Sequence, residues 1–260
     1  MPVYKAEAIV LRRANLGEAD RLVTLFARDQ GKLRAAAKGA RKPKSRFAGR
    51  LELFTHLRVL LGVGKTLDVV SQVEVIDPFA PLRSDLERIG QAAFVAELTD
   101  RAVAEREPAP AVFSALRNAL RMIATGDAEV AALWYAAQVM ALTGYGPVTD
   151  RCVVCGKPLS GAATFSHALG GSLCPSHRDR DAQGTAASRV ALAAIGFFRD
   201  VSPTALSRVT LDRRQRDEVG ALLERYLEYR LETKLKSPLV IKRLRESTRS
   251  SQSSQSSRSP

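Results

Sequence analysis

The sequence predicts an α+β protein, a small five-stranded β-barrel followed by an α-helical region that carries a cysteine-bearing insert. Three observations lead there. Residues 3 to 77 hold short apolar runs with charge interleaved, and turn signals separate them at roughly even spacing, the pattern of a small barrel. Near residue 80 the apolar period changes to that of a helix face. All three cysteines, Cys152, Cys155 and Cys174, then fall close together.

The strands are read as Tyr4 to Arg13, Arg21 to Ala27, Lys32 to Lys38, Leu51 to Leu61 and Leu67 to Ile76. Asn15-Leu16-Gly17, Asp29-Gln30-Gly31 and Gly62-Val63-Gly64 supply turns. Leu86, Ile89, Ala93 and Ala96 then share one helix face. Val112, Leu116, Ala119, Leu120 and Ile123 share a second, and Val130, Leu133, Trp134 and Ala137 a third. Glu107-Pro108-Ala109-Pro110 separates the first two helices, because proline lacks the amide a helix interior needs. Ser188 suits the cap of a fourth helix carrying Leu192, Ile195 and Phe198. A last long helix carries Val219, Leu222, Leu223, Tyr226 and Arg230 and stops before Pro238. The expected domains are a barrel over 1–80, a helical domain over 81–149 and 181–245, and an insert over 150–180. The stretch 246–260, rich in Ser, Gln and Arg and free of hydrophobic residues, is expected to be disordered.

The chain has 260 residues, 45% hydrophobic and 26% charged, enough to bury a core without disulfides. Its net charge is +13, which attracts polyanions. There is no run of 18 apolar residues and no signal-peptide core near the start, so a cytoplasmic protein with no membrane partner is expected. An odd number of cysteines in a reducing compartment points to a metal rather than to disulfides.

Eight cations lie between Gln30 and Leu51 with no acidic residue among them. Lys32, Arg34 and Lys38 share one parity of the third strand, while Leu33, Ala35 and Ala37 point the other way, to the core. Arg41, Lys42, Lys44 and Arg46 follow among Gly, Pro and Ser, which is loop chemistry; Arg50 completes the set. Cations this dense repel one another, and a polyanion relieves that repulsion by exchanging its counterions for them. A five-stranded barrel with a basic face is also how the OB-fold holds single strands. Phe47 and Phe54 are candidates to stack bases or to fill the core.

Cys152-x2-Cys155 and Cys174-x2-His177 are two short knuckles joined by 18 residues, the spacing of a four-ligand structural zinc site. Gly156 permits a tight turn after the first pair, and Gly170-Gly171 suits a hairpin between the pairs. Three thiolates and a neutral imidazole around Zn(II) sum to a charge of about −1, with no position left for a catalytic water. His167, inside the expected hairpin, is the rival fourth ligand. Gly64-Lys65-Thr66 imitates a P-loop ending, but Val59 stands where that motif needs glycine and a strand rather than a helix follows. No catalytic carboxylate pair or nucleophile motif is present, so the expectation is a protein that is not an enzyme.

Several stretches resemble the RecO family, and the likeness runs over residues 3–245. They are Ala8-Ile9-Val10-Leu11, Gly17-Glu18-Ala19-Asp20, Gly31-Lys32, Lys38 through Arg46, the Cys152, Cys155 and Cys174 knuckles, and Leu235-Lys236-Ser237. The resemblance implies an N-terminal OB-fold, a helical domain and an inserted zinc module. It implies binding of single- and double-stranded DNA, annealing of complementary strands and association with the nucleoid. It implies partnership with RecR and single-stranded-DNA-binding protein, to help load RecA in DNA repair. The family's DNA contacts correspond to Lys38, Arg41, Lys42, Lys44 and Arg46, and less closely to Lys32 and Arg34. One departure is His177, where zinc-keeping relatives are expected to have cysteine. The rival readings are an RNA-binding module, a relative of an OB-fold nucleic-acid enzyme, and a scaffold for an acidic protein.

Overall fold

Five strands close into a barrel in the computed structural model, which describes residues 2–159, 161 and 163–242. They are β1 (Val3–Leu16), β2 (Asp20–Ala27), β3 (Gly31–Ala37), β4 (His56–Gly62) and β5 (Asp68–Asp77). Their order is β1-β2-β3-β5-β4, and closure comes from a short parallel pairing of β3 with β5 at Ala35 and Ala36. Alternation dictates the interior: Val10, Val23, Leu25, Leu33, Leu57 and Leu61 point inward and are buried.

The fourth strand is shorter than the Leu51 to Leu61 run read from the sequence. Residues 51–55 form a turn instead, with Phe54 in the left-handed region at φ 69°. The Phe54 amide donates to the Val10 carbonyl at 2.8 Å, and the Val10 amide to the Thr55 carbonyl at 3.1 Å, so the bend is fixed on β1. Its ring enters the helical core, while Phe47 and Leu51 plug the barrel. Both phenylalanines are therefore core residues, and neither offers a face to a base.

Five helices follow: α1 (Leu86–Ala102), α2 (Pro110–Thr125), α3 (Ala128–Leu142), α4 (Arg189–Asp200) and α5 (Arg213–Leu231). Asp85, Asp127, Ser188 and Asp212 cap α1, α3, α4 and α5 by accepting otherwise orphaned amides, and Pro110 opens α2. Of the expected face of α1, Leu86 projects into solvent, whereas Ala96 is buried and Ala93 packs on the core, where Ala92, Val95 and Thr99 are buried as well. Leu86 is the first helical residue. α3 is buried on nearly every side, and its polar atoms find partners there. The Tyr135 and Thr99 hydroxyls bond at 2.6 Å, and Trp134 Nε1 donates to the Val201 carbonyl at 3.1 Å. α5 ends at Leu231, before Pro238, and residues 237–242 begin a further helical turn. The expected tail, 246–260, lies outside the described residues.

The helical core extends onto the outside of the barrel, whose interior is a separate cluster. Ile9, Leu11 and Phe26 belong to the helical cluster, with Phe26 and Phe113 rings 5.9 Å apart. The loop after α1 lies on the barrel: Glu105 bridges Lys32 in parallel, and the Arg106 amide donates to the Lys32 carbonyl at 2.9 Å. Gly31 is required there, since a Cβ would sit 2.1 Å from the Glu107 carbonyl oxygen.

Candidate nucleic-acid interface and metal centre

Residues 38–50 are a chain of tight turns rather than a loose loop. Amides of Lys42, Ser45, Ala48 and Arg50 donate to carbonyls of Gly39, Lys42, Ser45 and Phe47 at 3.0–3.1 Å. Gly39, at φ 68°, starts the chain, and its amide donates to Asp20 Oδ1 at 2.7 Å. The segment is further pinned to the β1–β2 turn: Arg41 donates from its amide to Ala19 and from its guanidinium to Gly17. Phe47 is the one buried residue of this segment, and its cations lie on the outside.

Lys38, Arg41, Lys42, Lys44 and Arg46 are all exposed, and among the described residues none of them forms a salt bridge. Arg46 lies over the Phe47 ring at 4.9 Å, which holds its guanidinium at the surface. Arg34 is exposed as well, further along β3. Lys32 differs. Its ammonium is half-buried against α1, 3.4 Å from Asp100 Oδ1 and 2.5 Å from the Asp100 carbonyl oxygen.

Gly64-Lys65-Thr66 is part of the β4–β5 turn. The Gly64 amide donates to Asp68 Oδ1 at 3.2 Å, and strand β5 follows, so no helix N-terminus faces the loop.

The insert places four ligands together. Cys152 N donates to the Lys157 carbonyl and Gly156 N to the Cys152 carbonyl, with Gly156 at φ 71° closing the first knuckle. His177 N donates to the Cys174 carbonyl at 2.9 Å, closing the second. Between them run β6 (Ala163–Ser166) and β7 (Gly171–Leu173), the expected hairpin. A strand the sequence did not suggest, β8 (Thr185–Ala187), lies on the other side of β6, past residue 180. Phe165 of β6 packs edge-on to Tyr226 of α5 at 5.6 Å, so the insert's core is continuous with that of the helices.

The donor atoms of Cys152, Cys155, Cys174 and His177 all lie within 4.8 Å of one another. His177 Nδ1 is 3.2 Å from Cys174 Sγ and 3.7 Å from Cys152 Sγ. Tetrahedral zinc, with bonds of about 2.0–2.3 Å, spaces its ligand atoms about 3.3–3.8 Å apart, so the residues fit such an ion. Burial raises the Cys152 thiol, but the amides of Cys174, Cys155 and Val154 outweigh it and bring the pKa to about 6. Burial and the neighbouring cysteines push Cys174 up. His167 lies apart from this group, its ring on Phe165 at 5.4 Å, and burial lowers its pKa. The fourth donor brought to the cysteines is thus His177.

The sequence reading missed Arg12 and Arg101, which join Arg34 and Lys32 in a cleft between the barrel and α1. Neither belongs to a charge run, and only the packing of α1 on the barrel brings them together.

Two family models match the chain, "Recombination protein O N terminal" over residues 1–79 and "Recombination protein O C terminal" over residues 83–239. Among curated proteins, a "DNA repair protein RecO" of Pelotomaculum thermopropionicum is 40% identical over 237 residues, covering 91% of this chain and 93% of that protein. The proteins of the same name from Bifidobacterium adolescentis and Frankia casuarinae are each 38% identical. They cover 91% of this chain and 98% and 97% of their own lengths.

Proposed function

Because the chain belongs to the RecO family, we propose that it is a DNA-repair protein that holds DNA on its barrel and brings complementary strands together. The observation that carries this reading is the run of five exposed cations on consecutive turns, with no carboxylate neutralising them among the described residues. Phosphates on such a surface are bound through charge and without regard to sequence, as annealing requires. Lys38, Arg41, Lys42, Lys44 and Arg46 are the proposed contacts, with Arg34 continuing the path. Lys32, paired with Asp100, is a weaker one. Single strands and duplexes both present the phosphates such a surface needs.

In this reading the protein binds and positions DNA and does no chemistry of its own. It works with RecR and single-stranded-DNA-binding protein, and RecA is loaded as the consequence. Residues 1–80 would form the DNA-holding domain, 81–149 with 181–245 the helical domain, and 150–180 the zinc insert. Zinc is the proposed ion, since three thiolates and an imidazole are its characteristic structural donors. It would lock the two knuckles and leave no open coordination position. The described residues include no helix long and apolar enough to cross a membrane. A cytoplasmic, nucleoid-associated protein is consistent with that.

The test is annealing of complementary labelled oligonucleotides without nucleotide, with RNA strands in parallel. Faster annealing of DNA that is lost in Arg41→Ala/Lys42→Ala/Lys44→Ala supports the reading. Equal or stronger action on RNA alone would move the protein to a different class.

A further inference from the structure

The cleft between the barrel and α1 has a volume of about 370 Å³ and is lined mainly by polar and charged residues, with Ala14 and Leu22 among them. Arg12, Lys32, Arg34 and Arg101 face Asp100 and Glu105 across it. Arg13 also lines it, but its guanidinium is engaged by Glu52 at 2.5 Å. Register explains the cluster. Arg12 of β1 is directly opposite Thr24 of β2, and Thr24 is opposite Arg34 of β3, so the three form one row across the sheet. α1 then brings Arg101 over the end of that row and inserts Asp100 into it.

Asp100 is the singular member. It is nearly buried, and two cations converge on it: Arg12 at 3.0 Å and Lys32 at 3.4 Å. Arg34 and Arg101, by contrast, are exposed and form no salt bridge among the described residues. The site thus holds more cationic groups than its carboxylates neutralise, and one carboxylate occupies the focus of the cluster.

We infer that this cleft is a second phosphate-binding station for the DNA strand, and that Asp100 acts as an internal counter-anion that weakens it. Its position supports a strand over a free anion. Lys38, the first residue past the end of β3, is four residues from Arg34, about 13 Å at the usual rise per residue, and both side chains are exposed. That span is close to four nucleotides of a stacked strand at about 3.4 Å each. A strand held on the 38–46 turns is therefore within reach of the cleft, where its phosphate competes with Asp100 for Arg12. The inference rests on the chain binding DNA and adds a site that includes the helical domain.

Two substitutions away from the 38–46 turns test it in the full chain, by anisotropy of a labelled oligo(dT) across a salt series. Asp100→Asn keeps the side chain's shape and leaves Lys32 its bond to the backbone carbonyl. It is expected to tighten binding by about three- to tenfold at low salt and to steepen the log–log salt slope by about 0.7, one added phosphate contact. Arg101→Gln alters an exposed side chain and is expected to flatten the slope by about the same amount. Arg41→Ala/Lys42→Ala/Lys44→Ala, run in parallel, reports on the turns separately. If that triple variant loses affinity while Asp100→Asn and Arg101→Gln both bind as the parent does, the cleft is not on the path and the inference fails, though the DNA-binding reading stands. Should Asp100→Asn fold poorly, Arg101→Gln decides alone. Inorganic phosphate is the last arm. Thermal stabilisation by it that Arg101→Gln removes, with oligo(dT) affinity unmoved, would assign the cleft to a free anion and overturn the strand path.

Discussion

Arg106, on the loop after α1, donates to Asp68, a fully buried carboxylate at the first position of β5, at 3.0 Å. The same carboxylate accepts from the Tyr4 hydroxyl at 2.5 Å and from the Gly64 amide at 3.2 Å. One buried side chain thereby ties the first strand, the β4–β5 turn and the helical region together.

Removing Arg106 leaves that carboxylate with less compensation. Arg106→Ala is expected to cost about 1–2 kcal/mol, limited by the exposure of the guanidinium. Asp68→Ala is expected to cost more, since it orphans the Tyr4 hydroxyl and the Gly64 amide together. Urea titration followed by tryptophan fluorescence measures both, and equal losses would show that the carboxylate is not shared.

Tyr4 gives this network a pH signature. Burial first, and then its bond to Asp68, raise its pKa to about 12. The unfolded phenol ionises near 10. A raised folded pKa means that the contribution is intact below about pH 10 and is lost as pH rises toward 12. The parent's urea midpoint is expected to fall over that window more steeply than that of Tyr4→Phe, which has no phenol to ionise. Parallel curves would contradict it.

The purified chain is expected to carry about one zinc, because four donors close one tetrahedral site. Cys152→Ser should release it and loosen the insert. Since Phe165 and Tyr226 pack together, part of that loss reaches α5, whereas the barrel keeps its own interior cluster. Colorimetric zinc assay and hydrogen exchange read the two effects. Stoichiometric zinc retained in Cys152→Ser/Cys174→Ser would rule the site out.

If about five cations of the 32–50 segment meet phosphates, single-strand affinity falls with a log–log salt slope of roughly −3.5, at about 0.7 per contact. Between about 50 and 200 mM salt that is a loss on the order of 100-fold. The triple change at Arg41, Lys42 and Lys44 is expected to flatten the slope by about two units, alike for all sequences. An unchanged slope would place the contacts elsewhere.

Local patterns were legible in the sequence and crossings were not. The barrel strands follow from two-residue alternation, and the knuckles from the x2 spacing of Cys152, Cys155, Cys174 and His177. The long fourth strand was misjudged because Leu51, Leu53 and Phe54 are as apolar as a strand, and only the left-handed backbone at Phe54 shows the bend. Leu86 fitted a helix period yet lies at the helix start, where nothing covers it. β8 is three residues long, too short for a period to register. The Arg12–Asp100 and Arg106–Asp68 pairs join residues 88 and 38 positions apart, a relationship that neither composition nor spacing encodes.

The docking of residues 105–106 along β3 also bears on how the molecule avoids its own kind. β3 meets β5 only near Ala35 and Ala36, so the stretch from Gly31 onward would otherwise present unpaired backbone groups at a seam of the barrel. Such a seam is a template on which a second copy's strand can add, the first step toward aggregation. The Lys32 carbonyl is instead occupied by the Arg106 amide, and Gly31 lets Glu107 lie close against it. A bulkier residue at position 31 would lift the loop away, and the expected penalty is seen less in the folded monomer than in self-association at high concentration.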